Sequence, residues 1–244
     1  MVSKSQIKLI TSLEQKKNRT KTGLFIVEGK KGINELLNSN FELDSLFTTQ
    51  LIFNAPEAKT NLISELELQK ISRLKTAQLA VGIFKIPKNV TPIIKGLVVA
   101  LDGVRDPGNL GTIIRLCDWF GIQQLICSLD TVDCFNSKVV QATMGSITRV
   151  NISYVDLEKF LKENKEEPVM GAFLEGSNIY SATLPKEGIL ILGNEANGIS
   201  YDIEKLVTQK VNIPQFGNSK NTESLNVATA TAVILSEFRR QENY

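Results

Sequence analysis

The chain's chemistry-bearing residues fall in three short stretches, each placed where an apolar run gives way to a turn. After Gly96–Leu101 comes the glycine- and proline-rich loop Asp102–Gly108, and then an N-x-G-x-x-x-R array: Asn109, Gly111, Arg115. Residues four apart share a helix face, and helical side chains lean toward the N-terminus, so Arg115 is expected to lie over Gly111 toward the helix mouth. A guanidinium there would face a phosphate or a developing oxyanion. A surface salt bridge to Asp118 is the plainer alternative. The second stretch is L-G-N-E-x-x-G-I at 192–199, where Gly193 and Gly198 let a ligand approach backbone and Glu195 sets a carboxylate beside it. In the third, Ile213-Pro214 ends a short strand, a polar loop spans 217–223, and Ser224-Leu225-Asn226 opens a helix apolar almost all round. Such a helix is expected to be buried. Ser224 and Asn226 suit a helix N-terminus, whose first N–H groups lack partners within the helix, with Ser224 as the simple cap.

What is missing narrows the chemistry. The chain has no histidine, which removes the usual general base and every Ser-His or Cys-His nucleophile pair. Three cysteines without a C-x-x-C pair argue against a disulfide framework and a zinc site, so no metal is expected. Neither G-x-G-x-x-G nor G-x-x-x-x-G-K-[ST] occurs, which disfavours a nucleotide-dependent oxidoreductase. No signal peptide or membrane span is evident, and a cytoplasmic protein is expected.

The elements that must position these stretches divide in two. Residues 1–87 read as a small α/β unit: a helix over 5–17 behind a Ser5 cap, a cationic loop at 16–21, a strand at 24–28, helices at 30–38 and 64–75, and strands at 41–48 and 79–86. Residues 88–95 read as a linker, bracketed by Pro87 and Pro92. From 96 to 244, continuous Val/Ile/Leu runs alternate with helical patterns, indicating a mostly parallel sheet covered on both faces, with ligands at the carboxyl ends of its strands. Charge divides along the same line. Residues 1–95 hold 15 Lys and Arg against 8 Asp and Glu, and residues 96–244 hold 13 against 18. A front of +7 before a back of −5 suggests that the front meets a polyanion. Lys16, Lys17, Arg19 and Lys21 are the candidate contacts for that polyanion, with Phe25 beside them as a ring for an unpaired base if it is RNA, although Phe25 also reads as a core strand residue. The last helix, with Val227, Ala228, Ile234, Leu235 and Phe238, offers more apolar surface than one sheet face covers and suggests a dimer. Trp119 reads as interface or core.

Taken in order, N-x-G-x-x-x-R, L-G-N-E-x-x-G-I, and I-P followed by S-L-N-V resemble the SpoU (TrmH-like) family of RNA 2′-O-ribose methyltransferases in the SPOUT class. The front half is similar to an L30e/L7Ae-like substrate-binding domain, through K-K-x-R at 16–19 and G-x-F-x-V-E-G at 23–29. The resemblance implies an α/β domain with a deep trefoil knot, a homodimer whose active site borrows from both subunits, and S-adenosylmethionine as cofactor acting on rRNA or tRNA. It places the cofactor against Leu192, Gly193, Gly198, Ile213, Pro214 and Leu225, and makes Asn109, Arg115, Glu195, Ser224 and Asn226 the catalytic positions. A non-catalytic RNA-binding or assembly factor retaining the fold is the alternative; it would be expected to lack the arginine or the S-L-N residues.

Overall fold

The computed structural model describes residues 1–74, 76–88, 91–217 and 224–243, so part of the expected linker and most of the polar loop at 217–223 lie outside the described residues. In chain order the helices are α1 (Lys4–Ser12), α2 (Lys16–Thr22), α3 (Lys30–Leu37), α4 (Glu65–Ile71), α5 (Pro107–Trp119), α6 (Ser137–Thr143), α7 (Leu157–Glu163), α8 (Tyr201–Glu204) and α9 (Val227–Asn243). The strands are β1 (Leu24–Glu28), β2 (Leu43–Thr48), β3 (Thr60–Leu62), β4 (Ala80–Lys85), β5 (Leu97–Leu101), β6 (Gln124–Ser128), β7 (Asn151–Val155), β8 (Val169–Asn178), β9 (Gly188–Leu192) and β10 (Gln209–Asn212). They form two compact units, 1–88 with 133–148, and 89–132 with 149–244. The segment 133–148, which the sequence placed with the back half, thus belongs to the first unit.

In the first unit the sheet order is β1-β4-β2-β3, with β4 antiparallel to both β1 and β2. Two corrections fall near its N-terminus. The first helix is capped by Ser3, not Ser5, and stops at Ser12; the basic run expected as a loop is the helix α2. Lysine and arginine are good helix formers, so polarity there did not mean irregular backbone. Arg19 is only 2% exposed. Its Nη1 donates to the carbonyls of Leu13 and Glu14, and its Nη2 lies 2.5 Å from Asp133 Oδ2. Phe25, at 0% exposure, sits 4.7 Å from the Phe135 ring and 5.8 Å from that of Phe41. Both residues are therefore structural, and neither can meet RNA as expected. A buried guanidinium is tolerated only when paired and hydrogen-bonded, and here it is.

The second unit carries six strands in the order β10-β8-β9-β5-β6-β7, every neighbouring pair parallel. Strands β5, β6 and β9 are buried along their whole length, as continuous apolar runs covered on both faces require. From β5 the chain winds outward through β6 to β7, then returns on the other side to β8 and β9. The winding order therefore reverses between the parallel neighbours β5 and β9, which opens the kind of crevice where open α/β sheets bind ligands. Helix α9 packs on α5, burying Val227, Ala228, Ile234, Leu235 and Phe238 within one chain. Those five therefore leave no excess apolar surface. Helix α9 is not buried all round either, since Thr229 and Ser236 are exposed and Ala232 and Val233 half-buried.

Candidate active site

Strands β5 and β9 end together: Leu101 pairs with Leu192, and Asp102 N–H donates to the Leu192 carbonyl at 2.9 Å. Two loops thus leave the sheet side by side. Asp106 caps α5 by accepting from Asn109 N–H at 2.8 Å, with Pro107 at the first helical position, where its missing N–H costs nothing. The helix therefore starts two residues before Asn109. The β9 loop turns through an Asn194–Gly198 bridge, and Asn194 Oδ1 accepts from Ala196 and Asn197 N–H. At Gly193 a Cβ would lie 2.1 Å from the Gly198 carbonyl carbon, so the turn admits only glycine there. Gly198 has φ +69°, the left-handed region that glycine occupies without strain.

Across this gap runs a chain of hydrogen bonds. Asn109 Nδ2 donates to Glu195 Oε1 at 2.9 Å, and Asn109 Oδ1 accepts from Asn226 Nδ2 at 2.8 Å. Glu195 also accepts from the backbone N–H of Arg105 and Asp106, both at 3.3 Å. Partial burial pushes its carboxyl up, but the Asn109 side chain and the backbone donors outweigh this and hold it below the usual carboxylate range. Asn226 caps α9, its Oδ1 accepting from Ala228 at 3.0 Å and Thr229 at 3.2 Å. Ser224 is exposed and precedes the helix by three residues, so the expected Ser224 cap is replaced by Asn226.

Three of the five expected catalytic residues are thereby joined. Arg115 takes no part in this chain of hydrogen bonds: it is exposed on the α5 stripe that also carries Thr112 and Trp119, and its side chain has no hydrogen bond or ion pair among the described residues. Gly111, one turn back, is buried. The alternative pairing with Asp118 is not formed; Asp118 binds Arg149 at 2.9 Å. Of the expected cofactor contacts, Gly193 and Ile213 are each the first residue beyond the last paired residue of their strand. Leu192 is buried, Ile213 and Pro214 half-buried, and Leu225 is 47% exposed. These strand ends offer unladdered backbone and apolar side chains, which suits an adenosyl group, with one ionised carboxylate nearby for a sulfonium.

Several supporting residues escaped the sequence reading. Arg105 reaches Asp130 at 3.2 Å, and Ser128 Oγ donates to Asp130 and accepts from Gly103 N–H. Asp102 accepts from Ser200 N–H at 2.7 Å, and Asn194 Nδ2 donates to the Gly103 carbonyl. Asp106 alone had a local signal, as an aspartate directly before Pro-Gly at a helix start.

A six-stranded parallel domain with a polar crevice at its reversal point defines an α/β fold of the class that binds ligands at the carboxyl ends of its strands. The chain belongs to the SpoU rRNA Methylase family, whose model matches residues 96–236; residues 4–82 match an MRM3-like substrate binding domain. It is 28% identical over 234 residues to the Bacillus subtilis 23S rRNA (guanosine(2553)-2′-O)-methyltransferase RlmP, covering 93% of each chain. Among solved structures, a TrmH-family protein from Porphyromonas gingivalis superposes with a TM-score of 0.92 at 38% identity, covering 99% of each chain. An AdoMet-bound rRNA methyltransferase from Sinorhizobium meliloti gives 0.85 at 31% identity, covering 99% of this chain and 97% of that one.

Proposed function

We propose that this chain, an S-adenosylmethionine-dependent RNA 2′-O-ribose methyltransferase of the SpoU family, acts on a nucleotide of large-subunit ribosomal RNA. The observation that carries the reading is the Glu195–Asn109–Asn226 chain, which ties the ends of β5 and β9 to the mouth of α9 at the sheet's reversal point. The match to RlmP over nearly the whole length of both chains favours ribosomal over transfer RNA.

When bound, S-adenosylmethionine supplies a methyl group on a sulfonium, a leaving group that neutralises itself as the methyl departs. Gly193, Ile213 and Leu225 would hold it through backbone, with Leu192, Gly198 and Pro214 beside them. The protein's main task is in-line placement. Glu195 accepts from three donors and stays ionised, so it orients the two loops and is a poor proton acceptor. Asn109 and Asn226 set the carboxamides that border the acceptor. Arg115 cannot serve as a base, because a guanidinium keeps its proton; it stabilises the alkoxide developing on the ribose oxygen, and the proton leaves to water or a phosphate oxygen.

The reading includes a homodimer. Trp119 is 83% exposed and Tyr180 46%, and a shallow hollow of about 410 Å³ lies between Phe120, Tyr180, Val233 and their neighbours on α9. Arg115 shares its stripe with Trp119, so a partner on this face would enclose the arginine. The reading also includes the trefoil knot of the family and a cytoplasmic location. Among the described residues, no helix is long and apolar enough to cross a membrane.

The test is transfer of labelled methyl from S-adenosylmethionine to unmodified 23S rRNA, followed by mapping. Label at one ribose 2′-oxygen is the expected result. Label on a base, or none on rRNA with label on tRNA, would overturn the assignment.

A further inference from the structure

The first unit contains a pocket of about 380 Å³ that none of the expected RNA contacts lines. Its floor is aliphatic: Val27 of β1 and Val140 of α6 are buried there, with Leu74 and the exposed Met144 beside them. Met144 holds φ +52°, the one left-handed non-glycine residue in the described backbone, where it ends α6.

The rim carries Lys30 and Lys31 at the start of α3 and Lys138 at the start of α6, all exposed and none with an ion-pair partner among the described residues. The acids nearby are already engaged. Glu28 accepts from Ser72 Oγ at 2.5 Å and Arg73 N–H at 2.8 Å, while Glu14 faces Arg73 at 3.8 Å and accepts from Ser137 Oγ at 3.3 Å. With Arg73 also in the lining, four cations stand against the carboxylates of Glu14 and Glu28, and the pocket keeps a net positive charge around an apolar floor. Two exposed carboxamides, Gln78 and Gln141, complete the rim.

Each part has a counterpart in a single nucleotide that has left its stack. Apolar side chains take the faces of a flipped base, a thioether packs well on an aromatic ring, and glutamine can both donate to and accept from a base edge. The lysines match flanking phosphates. A duplex would offer the charge without the base.

Resting on the RNA-methylating reading above, we propose that this pocket receives one unpaired nucleotide of the substrate RNA. Its base lies on Val27, Val140 and Met144, and its phosphates meet Lys30, Lys31 and Lys138. The RNA-reading surface of the first unit is then this pocket, built jointly by the N-terminal sheet and residues 137–144, in place of the α2 run 16–21.

The test uses the full chain and fluorescein-labelled single-stranded RNA nonamers, with a blunt duplex of the same sequence and free AMP as comparisons. Lys30→Ala with Lys31→Ala should weaken nonamer binding about tenfold or more and lower the log–log salt slope by about 1.4, two single-strand phosphate contacts. Gln141→Trp, which fills the pocket and leaves the charges, should weaken binding to a similar extent with the slope unchanged. Calorimetric binding of S-adenosylmethionine should match wild type in both variants, showing that the fold is kept. Nonamer binding within about twofold of wild type in both variants overturns the proposal, as does duplex bound as tightly as nonamer, AMP bound as tightly as nonamer, or no binding of the nonamer by the wild-type chain. If wild type and variants methylate 23S rRNA equally at subsaturating RNA, the pocket assignment alone fails; if no chain transfers methyl to any RNA, the methyltransferase reading fails first.

Discussion

Asn109 is the middle of the site's hydrogen-bond chain, since one side of its carboxamide is spent on Glu195 and the other on Asn226. Asn109→Ala should leave Glu195 and Asn226 unlinked and lower single-turnover transfer by about 10²-fold, the scale of one lost preorganised donor. Arg115→Ala acts differently: transfer should fall about 10²–10³-fold while S-adenosylmethionine affinity stays within a few fold, because the expected cofactor contacts come from other strand ends. Rapid-quench assays beside calorimetry separate the two effects, and unchanged turnover would remove Arg115 from the mechanism. At this scale the sequence was informative where a residue's type and a strand end coincided, as for Asn109, Glu195 and Asn226. It misled where a charge was read without its partner. Arg19 lies in a basic run, yet its partner Asp133 is 114 residues away, and no local pattern announces that pair.

Helix boundaries show what short-range rules reach. Ser64 and Glu67 form a capping box on α4, a local device that holds the helix start within a residue of the expected 64, whereas the end expected at 75 falls at Ile71. Helix α2 was missed because its composition is polar on every side. The α4 box carries a pH signature. Backbone hydrogen bonds from Ser64 and Val2, with the nearby N-terminal ammonium, pull the Glu67 carboxyl from 4.5 down to about 2. A carboxylate depressed by folding adds stability that is complete above its unfolded value and lost as pH falls through the folded one. Chemical denaturation between pH 5 and 2.5 should show that loss, and Glu67→Gln should be weaker at pH 5 and flatter below it; an unchanged acid limb in the mutant would disprove the assignment. On α9, Asn226→Ala removes the cap and should cost about 1 kcal/mol in addition to any catalytic defect. The all-parallel sheet was legible because fully buried strands read as unbroken apolar runs, whereas β3, three residues long, has no such run.

For the whole molecule, composition separated a basic front from an acidic back but could not show that residues 133–148 join the front. Removing residues 1–90 would strip the partners from Phe135, Val140 and Asp133, so the fragment 91–244 should bind a hydrophobic dye and melt below the full chain. A fragment as stable as the parent would contradict the packing described. The dimer has its own check: sedimentation should give twice the chain mass, and Trp119→Glu with Val233→Glu should return a monomer. The Arg19–Asp133 pair also has a consequence for synthesis. At roughly 5–20 residues per second, the 60 residues between Lys88 and Thr148 take about 3–12 s to make. For that interval the nascent first unit waits with Phe25 lacking Phe135 and the Arg19 guanidinium lacking Asp133, a window in which a chaperone at the ribosome exit would find its binding surface.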